Sequence, residues 1–201
     1  MMLREDLSEK LIHLTRDFAG KNGEERFLSI LEQKQIDGTN TNNKGSYNCI
    51  CFSEAPIASI GRIIARKGHS VSSNSKEIRY SPYGFMFSKE YLFKIGARPV
   101  LYQTKKEYEL LPEDLKYKHV EFDLSKEKIV DWTWEREWRL KTDQLPLDPK
   151  NVTLIIPSRA VLEKIISDYQ SRCRAVSSRA FGAFPQINWH FLVLEDLGFK
   201  I

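Results

Sequence analysis

The chain alternates short apolar runs with amphipathic stretches, and this alternation limits the folds open to it. Short apolar runs bounded by turn-forming residues are typical of strands, and apolar residues at helical spacing are typical of helices. Strands are predicted over residues 10–15, 47–53, 83–87, 98–103, 119–123, 151–157 and 189–194, and residues 132–141 are predicted to be an extended segment that runs into a strand. Helices are predicted over 24–34, 56–67, 89–95 and 105–111, and from Ser158 onward. Loops are predicted over 68–81 and 171–186. The order predicts one α+β domain spanning residues 1–201, with a mixed, mostly antiparallel sheet and flanking helices.

Composition excludes several classes of protein. No apolar run approaches the roughly 20 residues of a membrane-spanning helix, so no membrane partner is expected. The acidic N-terminal residues and the odd number of cysteines, 3, argue against secretion and a disulfide framework. We therefore expect a cytoplasmic protein. Glycine-rich phosphate-binding loops and the G-x-S-x-G hydrolase motif do not occur in the sequence.

The net charge of +4 conceals a strong segregation of charge along the chain. Residues 54–106 carry a net charge of +7, whereas residues 107–149 carry −5. Two interpretations stay open at this point. The two segments could neutralise each other within the fold, or they could form a cationic cleft for a phosphate-bearing ligand with carboxylates placed for chemistry.

The segment Trp132–Arg139, WTWEREWR, carries the densest set of candidate functional residues. In an extended strand Glu135, Glu137 and Arg139 share one face, because side chains alternate. Carboxylates packed beside aromatic rings and each other can have shifted pKa values suited to acid–base work. The alternative is an exposed edge strand with ordinary cross-strand ion pairs.

Cysteine and histidine side chains give weaker signals. Cys49 and Cys51 share a strand face, but a C-x-C pair without a second Cys or His pair is poor evidence for zinc. We therefore predict no metal site. Cys173 lies in a basic stretch with no paired base, so an inert thiol is expected. His13, on the first predicted strand, is by residue type alone more typical of a hydrogen-bonded core residue than of a site.

Three segments together resemble the ADP-ribosyltransferase fold. They are the His-x-Thr strand at His13–Thr15 with the following FLSILEQKQI helix, the Phe52-Ser53 strand end, and the late glutamate strand at 135–139. The chain is also similar, over roughly residues 11–141, to abortive-infection phage-resistance proteins and to a bacterial family with a Glu-x-Glu-Trp-Arg signature. The first motif is histidine-led, whereas the Glu-x-Glu form belongs to the arginine-led branch of these transferases.

The resemblance implies an NAD-consuming toxin in bacterial phage defence and assigns roles to residues of this chain. Glu137 would be the catalytic carboxylate and Glu135 its substrate-side partner, while His13 and Thr15 would position the ribose and amide of NAD. Ser53 would orient the glutamate. Tyr83 would stack on nicotinamide, with Tyr47 a competing candidate. Arg62 and Arg66 would face the pyrophosphate or a nucleic-acid target.

The sequence leaves the acceptor and the class of function open. A +7 segment interleaved with Tyr80, Tyr83 and Tyr91 suits a nucleic-acid acceptor, because phosphate contacts supply affinity and rings stack on bases. The alternatives are a protein acceptor, or a basic segment that serves NAD alone. A toxin would also imply a cognate antitoxin as a partner. The alternatives to a transferase are a non-catalytic nucleic-acid- or partner-binding component of a toxin–antitoxin or abortive-infection system, and a metal-dependent hydrolase or nuclease using Glu135 and Glu137.

Overall fold

Eleven strands form one large sheet and two small ones in a computed structural model, which describes residues 7–40, 47–67, 80–125, 127, 129–177 and 188–201. In chain order the strands are β1 (Lys10–Arg16), β2 (Gln35–Asp37), β3 (Cys49–Ser53), β4 (Tyr80–Ser88), β5 (Arg98–Pro99), β6 (Leu101–Gln103), β7 (His119–Glu121), β8 (Glu137–Lys141), β9 (Gln144–Pro146), β10 (Val152–Ile156) and β11 (His190–Val193). The large sheet has the order β11-β10-β4-β1-β3-β8-β5, and β2–β9 and β6–β7 form the small sheets. Within the large sheet only β10 and β11 run parallel.

Five α-helices accompany the strands in the described part of the chain. They are α1 (Gly23–Gln33), α2 (Ile57–Lys67), α3 (Lys89–Lys94), α4 (Lys105–Tyr108) and α5 (Arg159–Ser177). Short 3-10 helices cover Glu113–Lys118, Thr133–Glu135 and Leu194–Leu197. Helix α1 begins at a capping box, in which the Asn22 side chain accepts from the Glu25 amide and the Glu25 carboxylate accepts from the Asn22 amide.

The large sheet is covered on both faces, because alternate residues of its strands enter two different hydrophobic clusters. Leu11 of β1 and Leu154 of β10 belong to the larger cluster, which also contains Phe27 of α1. Their neighbours Ile12 and Ile155 belong to the second cluster. Helix α2 contributes Ile60 and Ile64 to that second cluster. The described residues thus form the predicted α+β domain, with a mostly antiparallel sheet between helices.

Most predicted elements are confirmed within a few residues. Two segments that were predicted to be continuously extended are interrupted in the structure. Residues 98–103 form β5 and β6 in different sheets, since β5 pairs with β8 and β6 pairs with β7. Residues 132–141 do not form one extended segment. The Asp131 side chain accepts from the Thr133 amide at 2.9 Å and starts a 3-10 turn. That turn ends at Arg136, whose φ of 46° is left-handed, so β8 begins only at Glu137.

The predicted loops also need correction. Residues 171–177 continue α5 instead of forming a loop, and 178–187 lie outside the described residues. Of the loop predicted over 68–81, residues 68–79 lie outside the description, whereas Tyr80 and Ser81 already belong to β4. The small β2–β9 sheet, in which Ile36 faces Leu145, has no counterpart in the prediction because three-residue strands carry too little periodicity.

Candidate active site

A cleft of about 880 Å³ lies where the large sheet is weakest. Strand β1 pairs with β4 at six positions and β3 pairs with β8 at five, but β1 and β3 share the single register pair Ile12–Ser53. The two halves of the sheet therefore separate beyond Ile12. Side chains from both halves line the space between them, which we call the cleft, including His13, Arg16, Arg26, Ser53, Tyr80, Glu135 and Glu137.

The imidazole of His13 bridges the separated strands. Its Nδ1 lies 2.8 Å from the carbonyl oxygen of Cys51 on β3, and its ring meets Phe52 edge-on. Since a carbonyl can only accept, Nδ1 carries the proton and Nε2 of the neutral ring is an acceptor. Burial lowers the pKa of His13, and the charges of Arg26 and Arg16 lower it further. His13 is therefore neutral at pH 7 and offers the cleft a hydrogen-bond acceptor.

Glu137 is held by a buried arginine. Arg139 Nε donates to Glu137 Oε1 at 2.8 Å, and its Nη2 reaches Oε2 at 3.4 Å. The other terminal nitrogen of Arg139 donates to the carbonyl oxygens of Tyr117 at 2.6 Å and His119 at 3.2 Å. The guanidinium is thus fixed on three sides, and it orients a carboxyl group that lines the cleft.

Glu135 is the second carboxyl group of the cleft, and its pKa is higher than that of an ordinary glutamate. Burial and the neighbouring charge of Glu137 raise its pKa to about 7. The Tyr80 hydroxyl donates to Glu135 Oε1 at 3.0 Å and counters part of this increase. A carboxyl group with a pKa of about 7 can gain or lose a proton near neutral pH, which is what general acid–base chemistry needs.

Ser53 fixes the backbone that carries both glutamates. Its hydroxyl donates to the carbonyl oxygen of Glu135 at 2.6 Å and accepts from the amide of Ala55 at 3.1 Å. Ser53 also faces Glu137 directly across β3 and β8. Arg136 between the two glutamates takes its left-handed conformation here, so a turn rather than strand alternation brings Glu135 beside Glu137.

The cationic part of the cleft comes from residues that the sequence did not single out. Arg16 at the end of β1 and Arg26 on α1 are half-buried and line the cleft with the exposed Lys21. The pKa of Arg26 is lowered by burial and by the charge of Arg16, so the two guanidinium groups are neighbours. Net charge by segment does not reveal these cations, because acidic residues such as Glu24 and Glu25 cancel their positive charge within residues 1–53.

Arg62 and Arg66 lie on α2, and their side chains are outside the described residues. The cleft cations that the structure does describe come from β1, α1 and the turn between them.

Tyr83 and Thr15, which were expected to contact NAD, have other contacts in the structure. Tyr83 does not line the cleft: its ring is buried in the larger hydrophobic cluster, 5.5 Å from that of Phe27. Tyr80, three residues earlier, lines the cleft instead, because an odd spacing along a strand reverses the face. Thr15 borders the cleft but is 2% exposed, and its hydroxyl donates to the carbonyl oxygen of Tyr83 at 3.1 Å. Thr15 therefore joins β1 to β4.

Aromatic rings at the cleft also differ from those proposed from the sequence. Tyr91, like Tyr83, packs against the larger cluster, so neither is placed for base stacking in the cleft. Tyr47 stacks near the Lys141 ammonium, 3.3 Å from the ring centre, and does not line the cleft. The rings that do line it include those of Phe18, Trp132 and Trp134, which give it flat apolar surfaces.

Cysteine side chains show no sign of activation. Burial raises the pKa of Cys49 and raises that of Cys51 more strongly, and the Cys51 thiol is hydrogen-bonded to Glu137. Cys173 lies on α5, and its side chain is outside the description. Across the described ranges, no three His, Cys, Asp or Glu side chains are grouped so that they could hold a metal ion.

The cleft thus combines a fixed carboxylate, a carboxyl group that titrates near neutrality, a neutral histidine and two adjacent guanidinium groups. In the described part of the chain, no helix has the length and apolar character needed to cross a membrane. Comparison with known proteins adds no relative: no family model, no curated protein and no solved structure matches the chain.

Proposed function

We propose that the chain is an NAD-dependent ADP-ribosyltransferase whose reaction takes place in the cleft. The observation that carries this proposal is the convergence of His13, Ser53, Glu135 and Glu137 on one cavity beside two arginines. The cavity is of the size that small-molecule sites usually have. Its cations suit the phosphates of the dinucleotide, its aromatic rings suit the bases, and its carboxylates suit the reacting sugar.

The reaction breaks the bond between the nicotinamide nitrogen and C1′ of the ribose. Nicotinamide leaves with the bonding electron pair, so positive charge develops on the sugar in the transition state. A carboxylate that is already ionised and oriented stabilises that charge without reorganisation. Glu137 is oriented for this role, because Arg139 donates to both of its carboxylate oxygens. Nε2 of His13 would accept a hydrogen bond from the substrate, from a ribose hydroxyl or from the amide of nicotinamide.

The acceptor forms the new bond to C1′ and must lose a proton. Glu135 is the group suited to take it, because its pKa of about 7 leaves a substantial basic fraction at neutral pH. The hydroxyl of Ser53 acts on the backbone of Glu135, so its role is to position that residue.

The central experiment incubates the purified protein with NAD labelled on either the nicotinamide or the adenine side. We expect release of nicotinamide, and transfer of label to an acceptor when one is supplied. Glu137→Gln should lower nicotinamide release by a hundredfold or more, as expected when oriented electrostatic stabilisation is removed. Glu90→Gln, at an exposed carboxylate on α3, is the matched control and should behave as the unmodified protein.

Glu135→Gln separates the two halves of the reaction. If Glu135 serves the acceptor, this variant should still release nicotinamide while transferring little label. Equal loss of both activities would assign Glu135 to the sugar instead. Absence of nicotinamide release from the unmodified protein, under every acceptor condition, would overturn the transferase proposal.

For the acceptor we propose nucleic acid, supported by the +7 net charge of residues 54–106. The test offers single-stranded DNA, double-stranded DNA, RNA and protein in parallel and asks which carries the label. We also propose a role as a toxin in phage defence, which implies a neutralising antitoxin. Expression of the unmodified chain should then stop growth, and Glu137→Gln should restore it.

A second candidate is a non-catalytic binding component of such a system. The observation that favours it is the engagement of both Glu137 oxygens by Arg139, a pairing that also occurs in purely structural networks. Tight, salt-dependent binding of nucleic acid without nicotinamide release, unchanged in Glu137→Gln, would select this candidate.

A further inference from the structure

The arrangement of charged side chains along the cleft identifies a site for one particular part of a ligand. Arg26, Arg16 and Glu135 all line the cleft. Arg16 on β1 faces Tyr80 on β4, and the Tyr80 hydroxyl donates to Glu135 at 3.0 Å. The charge of Arg16 also acts on both Arg26 and Glu135. Glu137 adjoins Glu135 at the far end of this series. The cleft therefore changes from cationic to acidic over a few side chains.

We infer that Arg16 and Arg26 form a subsite for the diphosphate of a dinucleotide, next to the carboxyl pair that receives the ribose. This inference deepens the proposed function and rests on it for the identity of the sugar reaction. In a nucleotide, one ribose separates the phosphate from C1′, so phosphate and reacting carbon lie on neighbouring groups of the protein. The ligand's order, from phosphate through ribose to C1′, matches the order of the protein groups, from Arg26 and Arg16 to Glu135 and Glu137.

Arg16 and Arg26 differ from the paired arginines in the described part of the chain. Neither forms an ion pair with a carboxylate among the described residues, in contrast to Arg139 and Arg159. The Arg26 guanidinium also lies over the ring of Phe18, 5.2 Å from its centre, a contact that uses the face of the guanidinium and not its N–H groups. Two half-buried guanidinium groups side by side repel each other, and an anion with several oxygens relieves that repulsion while accepting their parallel hydrogen bonds.

The extent of the subsite favours a diphosphate over a nucleic-acid backbone. Binding to a nucleic-acid strand uses a row of exposed cations that neutralise many phosphates. The cleft offers two half-buried arginines and the exposed Lys21 at its edge. Phe18 beside Arg26 supplies an apolar surface on which the base of the distal nucleoside can stack.

The test measures equilibrium binding of ADP, adenosine and a short single-stranded DNA by calorimetry at fixed salt. ADP should bind, and Arg16→Gln and Arg26→Gln should each weaken its binding by about ten- to a hundredfold. Adenosine binding should change by less than about threefold, because it has no phosphate. Arg159→Gln, which removes one exposed arginine paired with Asp196, is the matched control and should leave ADP binding unchanged.

Arg16→Lys guards against a variant that is merely misfolded. It keeps the positive charge but loses the planar fork, so its ADP affinity should fall between those of the unmodified protein and Arg16→Gln. Unchanged ADP affinity in both glutamine variants would overturn the subsite. So would a loss confined to DNA binding, since that result would assign the arginines to a nucleic-acid backbone.

Failure of the diphosphate subsite and failure of the proposed function give different results. ADP binding that depends on both arginines, in a protein that releases no nicotinamide from NAD, would leave the subsite standing and overturn the transferase. Nicotinamide release that is equal in the unmodified protein and both glutamine variants would do the reverse.

Discussion

At the scale of single residues, Glu135 is the side chain whose environment differs most from that of an ordinary carboxyl group. It is packed beside Glu137 and accepts one hydrogen bond from the Tyr80 hydroxyl, and its pKa rises to about 7. A carboxyl group with a raised pKa binds its proton more tightly in the folded than in the unfolded chain. The ionised form of Glu135 therefore destabilises the fold, and this cost accompanies whatever the residue does in the cleft.

Replacing Glu135 with glutamine should stabilise the protein in a pH-dependent way. The folded chain holds a proton on Glu135 up to about pH 7, whereas the unfolded chain loses it near pH 4.5, so stability declines as pH rises between those values. At pH 8 Glu135→Gln should raise the free energy of unfolding by about 3 kcal/mol, and at pH 4 by almost nothing. Urea denaturation at both pH values measures the difference. A gain of equal size at pH 4 and pH 8 would contradict the assignment of the titration to Glu135.

Tyr80→Phe tests the same carboxyl group through function. The Tyr80 hydroxyl stabilises the ionised form of Glu135, so its removal should raise the pKa of Glu135 further above about 7. The rising limb of label transfer against pH should then move to higher pH by about one unit.

The matched control for Tyr80→Phe is Tyr83→Phe, which removes a hydroxyl bonded to Glu24 outside the cleft. It should leave the pH profile in place. A profile that is identical in Tyr80→Phe and the unmodified protein would show that Glu135 does not control the measured step.

At the scale of elements, the site depends on how β3 ends. Glu54 directly follows β3 and is 8% exposed. Its two oxygens accept from Lys89 Nζ, at the start of α3, at 2.5 Å and from Trp138 Nε1, on β8, at 2.7 Å. Glu54 thus ties together three elements on the side of Ser53 and Glu137, although an isolated glutamate after a strand carries no signal of this role in the sequence.

Glu54→Ala should lower the free energy of unfolding by about 3 kcal/mol, because it leaves the Lys89 charge and the Trp138 indole N–H without their acceptor. Glu90→Ala, which removes an exposed carboxylate paired with Lys94 on α3, is the control and should change stability little. Chemical denaturation of both variants at pH 7 gives the comparison. Equal effects of the two substitutions would show that the Glu54 contacts do not hold these elements together.

The sequence predicted the elements better than their relation to one another, for a physical reason. Local periodicity marks β1 and α5 strongly, since their apolar spacing depends only on near neighbours. The gap between β1 and β3 depends on which strands pair, and no local pattern records that choice. The same limit explains why Tyr80 lines the cleft where Tyr83 was expected, because the face of a tyrosine depends on where β4 starts and how it is paired.

The candidate site was predictable to the extent that it uses motif residues. His13, Ser53, Glu135 and Glu137 belong to the sequence motifs described above, and all four line the cleft. Arg16 and Arg26 do not stand out, because α1 folds Arg26 back toward β1 and makes neighbours of residues from two elements. The left-handed turn at Arg136 was also beyond prediction, since arginine rarely adopts a φ of 46° unless its surroundings impose it.

At the scale of the whole molecule, the cleft is a line along which the large sheet is incompletely closed. Strands β11, β10, β4 and β1 form one part and β3, β8 and β5 the other, joined by the Ile12–Ser53 pair and by His13. A ligand that contacts Arg16 on the first part and Glu137 on the second adds bonds across this line. Such a ligand should stabilise the entire fold, because it binds the folded chain and not the unfolded one.

ADP-ribose, the part of NAD that remains after nicotinamide leaves, should therefore raise the unfolding temperature. At a concentration one hundred times its Kd it should add about 2.7 kcal/mol of stability, which for a chain of this size corresponds to a rise of roughly 5–10 °C. The Arg16→Gln/Arg26→Gln double variant should lose most of that increase, because it lacks the groups that hold the diphosphate. Arg159→Gln should retain it. A rise of equal size in the double variant would show that ADP-ribose binds away from the β1–β3 gap, and no rise in the unmodified protein would show that the cleft does not hold a nucleotide diphosphate at all.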